Sequence, residues 1–181
     1  MYTTERLVLR AWRESDLDEM HAMWNEAGVQ LGAAGNHIAP RGLKWRDTYR
    51  SWLDNNLLSF IIETKEDTPS FVGHITIHGG DSKNRNGEIS MTLKTAHWGK
   101  GYGTEVLRFV VDHAFRMMNV HRVSLGAFDS NDRALALYTK VGFVVEGRVR
   151  KSMWVDGEWR DLVLMGILDE EWAARQAKPA Q

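Results

Sequence analysis

Three glycines at alternate positions, Gly99, Gly101 and Gly103, stand between a short β-rich stretch and a long amphipathic one. Upstream, Glu88-Ile89-Ser90-Met91-Thr92-Leu93 alternates as a strand does. Downstream, Val106, Leu107, Val110, Val111, Ala114, Phe115 and Met118 recur at spacings of three and four, the apolar face of a helix. The order is therefore strand, glycine loop, helix. The first N–H groups of such a helix lack internal acceptors, and together with the helix dipole they form a site for an anion. Glycine admits a bulky phosphate because no Cβ stands in its way. The spacing lacks the Gly-Lys-Ser/Thr ending of a Walker A loop and is not the G-x-G-x-x-G dinucleotide fingerprint.

The strands around this unit set the rest of the fold. Residues 7–12, 59–63, 71–77, 122–128, 144–155 and 158–167 read as strands, with a polar hairpin turn at 79–87 and a hairpin at Asp156-Gly157. Ser15 or Asp16 opens a first helix carrying Leu17, Met20 and Trp24, and residues 45–53 make a second. Residues 131–140 make a short helix closed by Gly142. Residues 27–42 hold four glycines and a proline and read as a loop with room for a helical turn. A strand meander followed by a crossover helix predicts an α/β (α+β) fold: one mixed, mostly antiparallel sheet of about seven strands, flanked by about four helices. The chain of 181 residues fits one domain over 1–172, with a disordered tail at 173–181.

Composition excludes several classes. With no cysteine there is no disulfide, thiolate metal site or cysteine nucleophile. A net charge of −1 gives no general attraction to nucleic acid or to an anionic membrane. A charged opening without an apolar run, and no apolar run of membrane length, make a cytoplasmic protein the expectation. The histidines are not spaced as metal ligands, so no metal is expected. Most of the eight tryptophans fall at core spacing, while Trp154 and Trp159 flank the last hairpin turn.

Residues 98–105, Trp98-Gly99-Lys100-Gly101-Tyr102-Gly103-Thr104-Glu105, resemble motif A of the GNAT acetyltransferases. Trp98 stands where many members carry Gln or Arg, a departure shared by the RimJ/RimL-like branch. Asn131-Asp132-Arg133-Ala134 through Tyr138 to Gly142-Phe143 resembles motif B. The opening Glu5-Arg6-Leu7-Val8-Leu9-Arg10 with Ser15-Asp16, and Gly147-Arg148 with Asp156-Gly157 and Asp161, resemble that branch's first and last elements. The resemblance spans residues 3–172. It implies acetyl-CoA as co-substrate, held by Trp98, Gly99, Lys100, Gly101, Tyr102, Gly103, Thr104 and Asn131. It also implies two parallel strands splayed apart to admit the pantetheine arm, with backbone groups of Met91, Thr92 and Leu93 beside the thioester.

Transfer to an amine needs a base, oxyanion donors and an acid for the leaving thiolate. An alkylamine with a pKa near 10.4 costs about 4–5 kcal/mol to deprotonate at pH 7. Glu88, opening the strand before the loop, is the candidate base, provided burial strengthens it; His74 and His78, on one face of the neighbouring strand, are alternatives. Tyr138 is the candidate acid, and Lys100 or Lys140 a candidate phosphate contact. The acceptor is a primary amine, on a small molecule or a protein N-terminus, chosen by the first two helices, residues 27–42 and the final hairpin. A CoA-binding sensor without transfer, and another acyl donor, are the competing readings. Strand edges near the end allow a homodimer.

Overall fold

The computed structural model describes residues 1–33, 35, 37–79 and 83–177. In chain order the elements are β1 (Tyr2–Thr3), β2 (Leu7–Arg10), α1 (Asp16–Trp24), α2 (Ala27–Ala33), α3 (Lys44–Asp54), β3 (Leu58–Thr64), β4 (Phe71–Gly79) and β5 (Asn86–Leu93). A 3₁₀ turn, Thr95–His97, leads to α4 (Tyr102–Met117), then β6 (Arg122–Phe128), α5 (Asp132–Val141), β7 (Val144–Val155), β8 (Glu158–Leu168) and α6 (Asp169–Gln176). The strands form one sheet in the order β1-β2-β3-β4-β5-β6-β8-β7. Every neighbouring pair is antiparallel except β5–β6, the pair joined by the α4 crossover.

The α/β fold with a mostly antiparallel sheet matches the expectation, with eight strands and six α-helices among the described residues. The additions are small elements. β1 is two residues long, α2 lies where residues 27–42 read as a loop, and α6 continues through residues 173–176, which were expected in the tail. Trp172 explains the last of these: it is buried and donates its indole N–H to Asp112 at 3.2 Å. Residues 178–181 lie outside the described residues, as do 80–82 of the predicted hairpin turn.

Alternation along the central strands divides the interior in two. Ile75, Ile77, Ile89 and Val123 meet Val106, Leu107, Val110 and Val111 of α4 in the larger core. On the other side Ile61 packs with Leu17 and Met20 of α1 and Tyr49 and Leu53 of α3. Arg10 anchors this smaller side. Its guanidinium grips Asp16 through two bonds of 2.7 and 2.8 Å and Glu63 through bonds of 2.9 and 2.5 Å, nearly out of reach of water. Those two carboxylates, by hydrogen bond and charge, push the Arg10 pKa up against the opposing effect of burial.

Candidate active site

β5 and β6 are hydrogen-bonded at their beginnings alone, at Asn86–Arg122, Gly87–Val123 and Glu88–Ser124. Beyond Glu88 they part, although β5 stays paired with β4 as far as Leu93 and β6 with β8 as far as Phe128. The parting leaves the β6-facing backbone groups of residues 89–93 without a ladder partner. Close β4–β5 contact is kept on the far side because position 73 is glycine: a Cβ there would sit 2.2 Å from the Thr92 carbonyl oxygen.

The glycine loop closes the wide end of this gap. Gly101 is the N-cap of α4 with φ +82°, a left-handed conformation that costs an ordinary residue about 1–2 kcal/mol. The first helical bond runs from the Glu105 N–H to the Gly101 carbonyl at 3.2 Å, so the N–H groups of Tyr102, Gly103 and Thr104 precede any internal acceptor. Glu105 fixes the loop from behind. Desolvation works to raise its pKa, but hydrogen bonds from Thr4 and from the Arg6 N–H and guanidinium, with the Arg6 charge, hold the carboxyl below its ordinary value. Arg6 also donates to the Lys100 carbonyl at 2.9 Å.

Loop and gap open into one cavity of about 560 Å³. Glu88 and Tyr138 both line it, as do Met91, Thr92, Leu93, Trp98, Gly99, Gly101, Tyr102, Gly103, Thr104 and Asn131. Lys100 does not; Arg133, which the sequence reading passed over, does. The Arg133 guanidinium lies 3.4 Å over the Trp98 ring, and partial desolvation lowers its pKa. Its signal was a cation in the first turn of a helix that begins at the cavity. Trp98 is held by donation of its indole N–H to the Leu93 carbonyl at 2.9 Å. Asn131 caps α5 by accepting from the Ala134 N–H at 3.2 Å, and its amide donates to the Gly32 carbonyl of α2 at 3.2 Å. Tyr138 is buried, and burial pushes its phenol up to about 12.

The acid–base candidates differ in their surroundings. The Glu88 side chain is exposed and lacks the burial asked of a carboxylate base. His74 is buried beneath α3, does not line the cavity, and lies with Nε2 2.5 Å from the Tyr49 hydroxyl. Burial, with the neighbouring His78, lowers its pKa to about 3. His78 is partly buried and lines the cavity, directly opposite Glu88 in the β4–β5 register. Burial lowers its pKa while the Glu88 charge raises it.

An uncapped helix start, a gap between two parallel strands, and a phenol and a carboxylate lining the same cavity are an arrangement that suits group transfer from a phosphate-bearing donor. A Cβ at Gly99 would meet nothing within 4 Å, so the loop is open at that point. Residues 6–144 match the family model described as an acetyltransferase (GNAT) domain, and the chain belongs to that family. It is thus an acyl-CoA-dependent N-acetyltransferase, with acetyl-CoA as co-substrate.

The chain is 24% identical over 182 aligned residues to the spermidine N(1)-acetyltransferase of Escherichia coli (strain K12), covering 100% of this chain and 96% of that one. It is 33% identical over 103 residues to "Putative ribosomal N-acetyltransferase YdaF" of Bacillus subtilis (strain 168), a match spanning 57% of this chain and 56% of the relative. The fold resembles the crystal structure of spermidine N-acetyltransferase from Vibrio cholerae in complex with CoA and spermine, with a TM-score of 0.82, 23% identity, and coverage of 92% and 98%. Among the described residues no group of three or more His, Cys, Asp or Glu could hold a metal ion, and no helix is long and apolar enough to cross a membrane.

Proposed function

We propose that this enzyme acetylates a primary amine carrying a single positive charge, a peptide or protein α-amine or a small monoamine, in a ternary complex with acetyl-CoA. The observation that carries this reading is the charge of the cavity wall. Among the described residues lining it, Glu88 is the one carboxylate. Residues 27–42, the segment expected to help choose the acceptor, contain no Asp or Glu and end in Arg41-Gly42. A polyamine would bring further ammonium groups to a surface without counter-charges, so the polyamine substrate in the names of the relatives is not carried over. The word "ribosomal" in the name of the YdaF relative, and the Trp98–Glu105 loop resembling the RimJ/RimL-like branch, support the α-amine member of this class.

In this reading Trp98, Gly99, Gly101, Tyr102, Gly103 and Thr104 hold the diphosphate, and Asn131 holds the pantetheine arm. N–H groups along residues 91–93 meet the developing oxyanion. Glu88 meets the incoming ammonium, and the Tyr138 hydroxyl gives its proton to the departing thiolate.

Thiol release should be measured with acetyl-CoA and, in turn, a peptide with a free α-amine, small monoamines and spermidine. The expected kcat/KM for the best monoamine exceeds that for spermidine by more than roughly tenfold, the factor that about 1.4 kcal/mol represents. Spermidine as the best acceptor would overturn the charge argument. Silence with every amine would overturn the acceptor class.

A further inference from the structure

His78 and Glu88 are direct partners across the antiparallel β4–β5 pair, so their side chains leave the same face of the sheet, with Cβ atoms about 4.5–5.5 Å apart. Both line the cavity. The ring of His78 is fixed by two contacts. Trp52 of α3 packs against it, with ring centroids 4.7 Å apart. Thr76, two residues earlier on the same face, places its Oγ1 3.1 Å from His78 Nε2.

The Thr76 hydroxyl can select which ring nitrogen carries the proton. It has one proton, and it lies 3.4 Å from the Ser90 carbonyl oxygen, which can only accept. With its proton directed to Ser90, Oγ1 offers His78 a lone pair, and Nε2 must be the donor. In the neutral ring Nδ1 is then bare and free to accept a proton. His74 lacks this arrangement: its Nε2 is taken up by Tyr49, and its Nδ1 is buried with no partner among the described residues.

We propose that His78 Nδ1, not the Glu88 carboxylate, takes the proton from the acceptor ammonium, with Glu88 held opposite as the counter-charge to the imidazolium that forms. This rests on the amine-acetylation reading above. The ammonium R–NH3⁺ gives one proton to Nδ1 and attacks the thioester carbonyl as R–NH2. A C–N bond forms and the C–S bond breaks. Tyr138 protonates the leaving thiolate, and its phenolate is restored by the second proton lost from the nitrogen. The imidazolium then releases the first proton to solvent, so each turnover yields amide, thiol and one proton.

Among the described residues the titratable groups beside His78 are Glu88 on β5 and His74 on its own strand, while α3 meets it with the Trp52 ring. Burial places the His78 titration below its ordinary value of 6.5. Activity carried by the neutral ring is lost as pH falls through that lowered value, and Glu88→Gln should move this acidic limb to still lower pH.

The decisive variant is His78→Gln, whose amide N–H can still donate to Thr76 but which offers no titrating nitrogen. Its kcat/KM for the amine should fall by roughly 10²–10⁴-fold and lose the acidic limb, while acetyl-CoA affinity by calorimetry stays within about twofold. Independently of turnover, ¹⁵N-histidine NMR of the wild type near pH 8 should show His78 as the Nε2–H tautomer. The Nδ1–H tautomer, or His78→Gln with a wild-type rate and pH profile, would overturn the proposal. A wild type that binds acetyl-CoA, shows the Nε2–H tautomer and acetylates no amine would instead overturn the acceptor reading and leave the tautomer assignment standing.

Discussion

Replacing Tyr138 with phenylalanine should move stability and activity in opposite directions. The side chain is 9% exposed and packs beside Phe143, with ring centroids 6.1 Å apart. Its hydroxyl has no hydrogen-bond partner among the described residues. Phenylalanine keeps the ring and deletes a hydroxyl that burial desolvates but that borders the cavity, so the folded state should be unchanged or gain up to about 1 kcal/mol. The neutral phenol also links stability to pH. Burial raises its pKa to about 12, above the ordinary 10.0, so the contribution is present in full below pH 10 and is lost as pH rises toward 12. That alkaline loss should disappear in the variant. Activity goes the other way. A phenol at about 12 giving a proton to a thiolate of ordinary pKa near 8.5 works uphill by about 5 kcal/mol. Transfer becomes practicable because the thiolate leaves into the same desolvated cavity, which strengthens it as a base. The gap is narrowed, not closed, so the loss in kcat should fall at the lower end of general-acid effects, about 10²-fold or about 2.7 kcal/mol. Single-turnover acetyl transfer and urea unfolding on the same preparation provide both numbers. A variant with wild-type kcat, or with kcat intact and weaker acetyl-CoA binding, would refute the acid assignment.

Asp16→Asn should destabilise the protein by about 3–5 kcal/mol in urea unfolding, because a buried Arg10 keeps Glu63 alone as its carboxylate partner. Arg133→Ala should weaken acetyl-CoA binding roughly 10–100-fold by calorimetry and leave the amine KM nearly unchanged, since a desolvated guanidinium beside the diphosphate loop is worth about as much as one charge-assisted hydrogen bond.

What could be read from the sequence is what local chemistry specifies. Asp156 at φ +50° and Gly157 at φ +81° turn β7 into β8, and Asn131 caps α5 with Gly142 behind it. The crossover rule alone put β6 parallel to β5. What could not be read depends on distant partners. The α2 segment carries three poor helix signals, Gly28, Gly32 and a missing cap. It is held from outside: Gln30 donates to the Trp24 carbonyl at 2.7 Å and accepts from the Ala39 N–H at 2.9 Å, and Asn131 reaches Gly32 from α5. Lys100 and Arg133 illustrate the same point within the cavity. Its place in the glycine loop made Lys100, with Lys140, a candidate phosphate contact, but Lys100 does not line the cavity, and the packing of α5 brings Arg133 over Trp98.

The polar face of β4 and β5 ties these observations together. Central strands beneath two helices would gain most stability from apolar residues on both faces, at about 25 cal/mol per Å² of apolar surface buried. Here one face is apolar toward α4, while the other carries His74, Thr76, His78, Glu88, Ser90 and Thr92, with His74, Thr76 and Thr92 at 1%, 0% and 5% exposure. Such groups cost stability inside unless they are hydrogen-bonded. The rings of α3 serve that need at the buried end, where Trp24 donates to the Tyr49 hydroxyl at 3.0 Å and Tyr49 meets His74. His78, Glu88, Ser90 and Thr92 of the row line the cavity, with His78 and Glu88 beside the point where β5 and β6 part. A face that served stability alone would have no reason to keep its polar side chains lined up from a sealed core to the start of the gap. A face that orients an imidazole through Thr76, and backs it with a carboxylate from the adjacent strand, does.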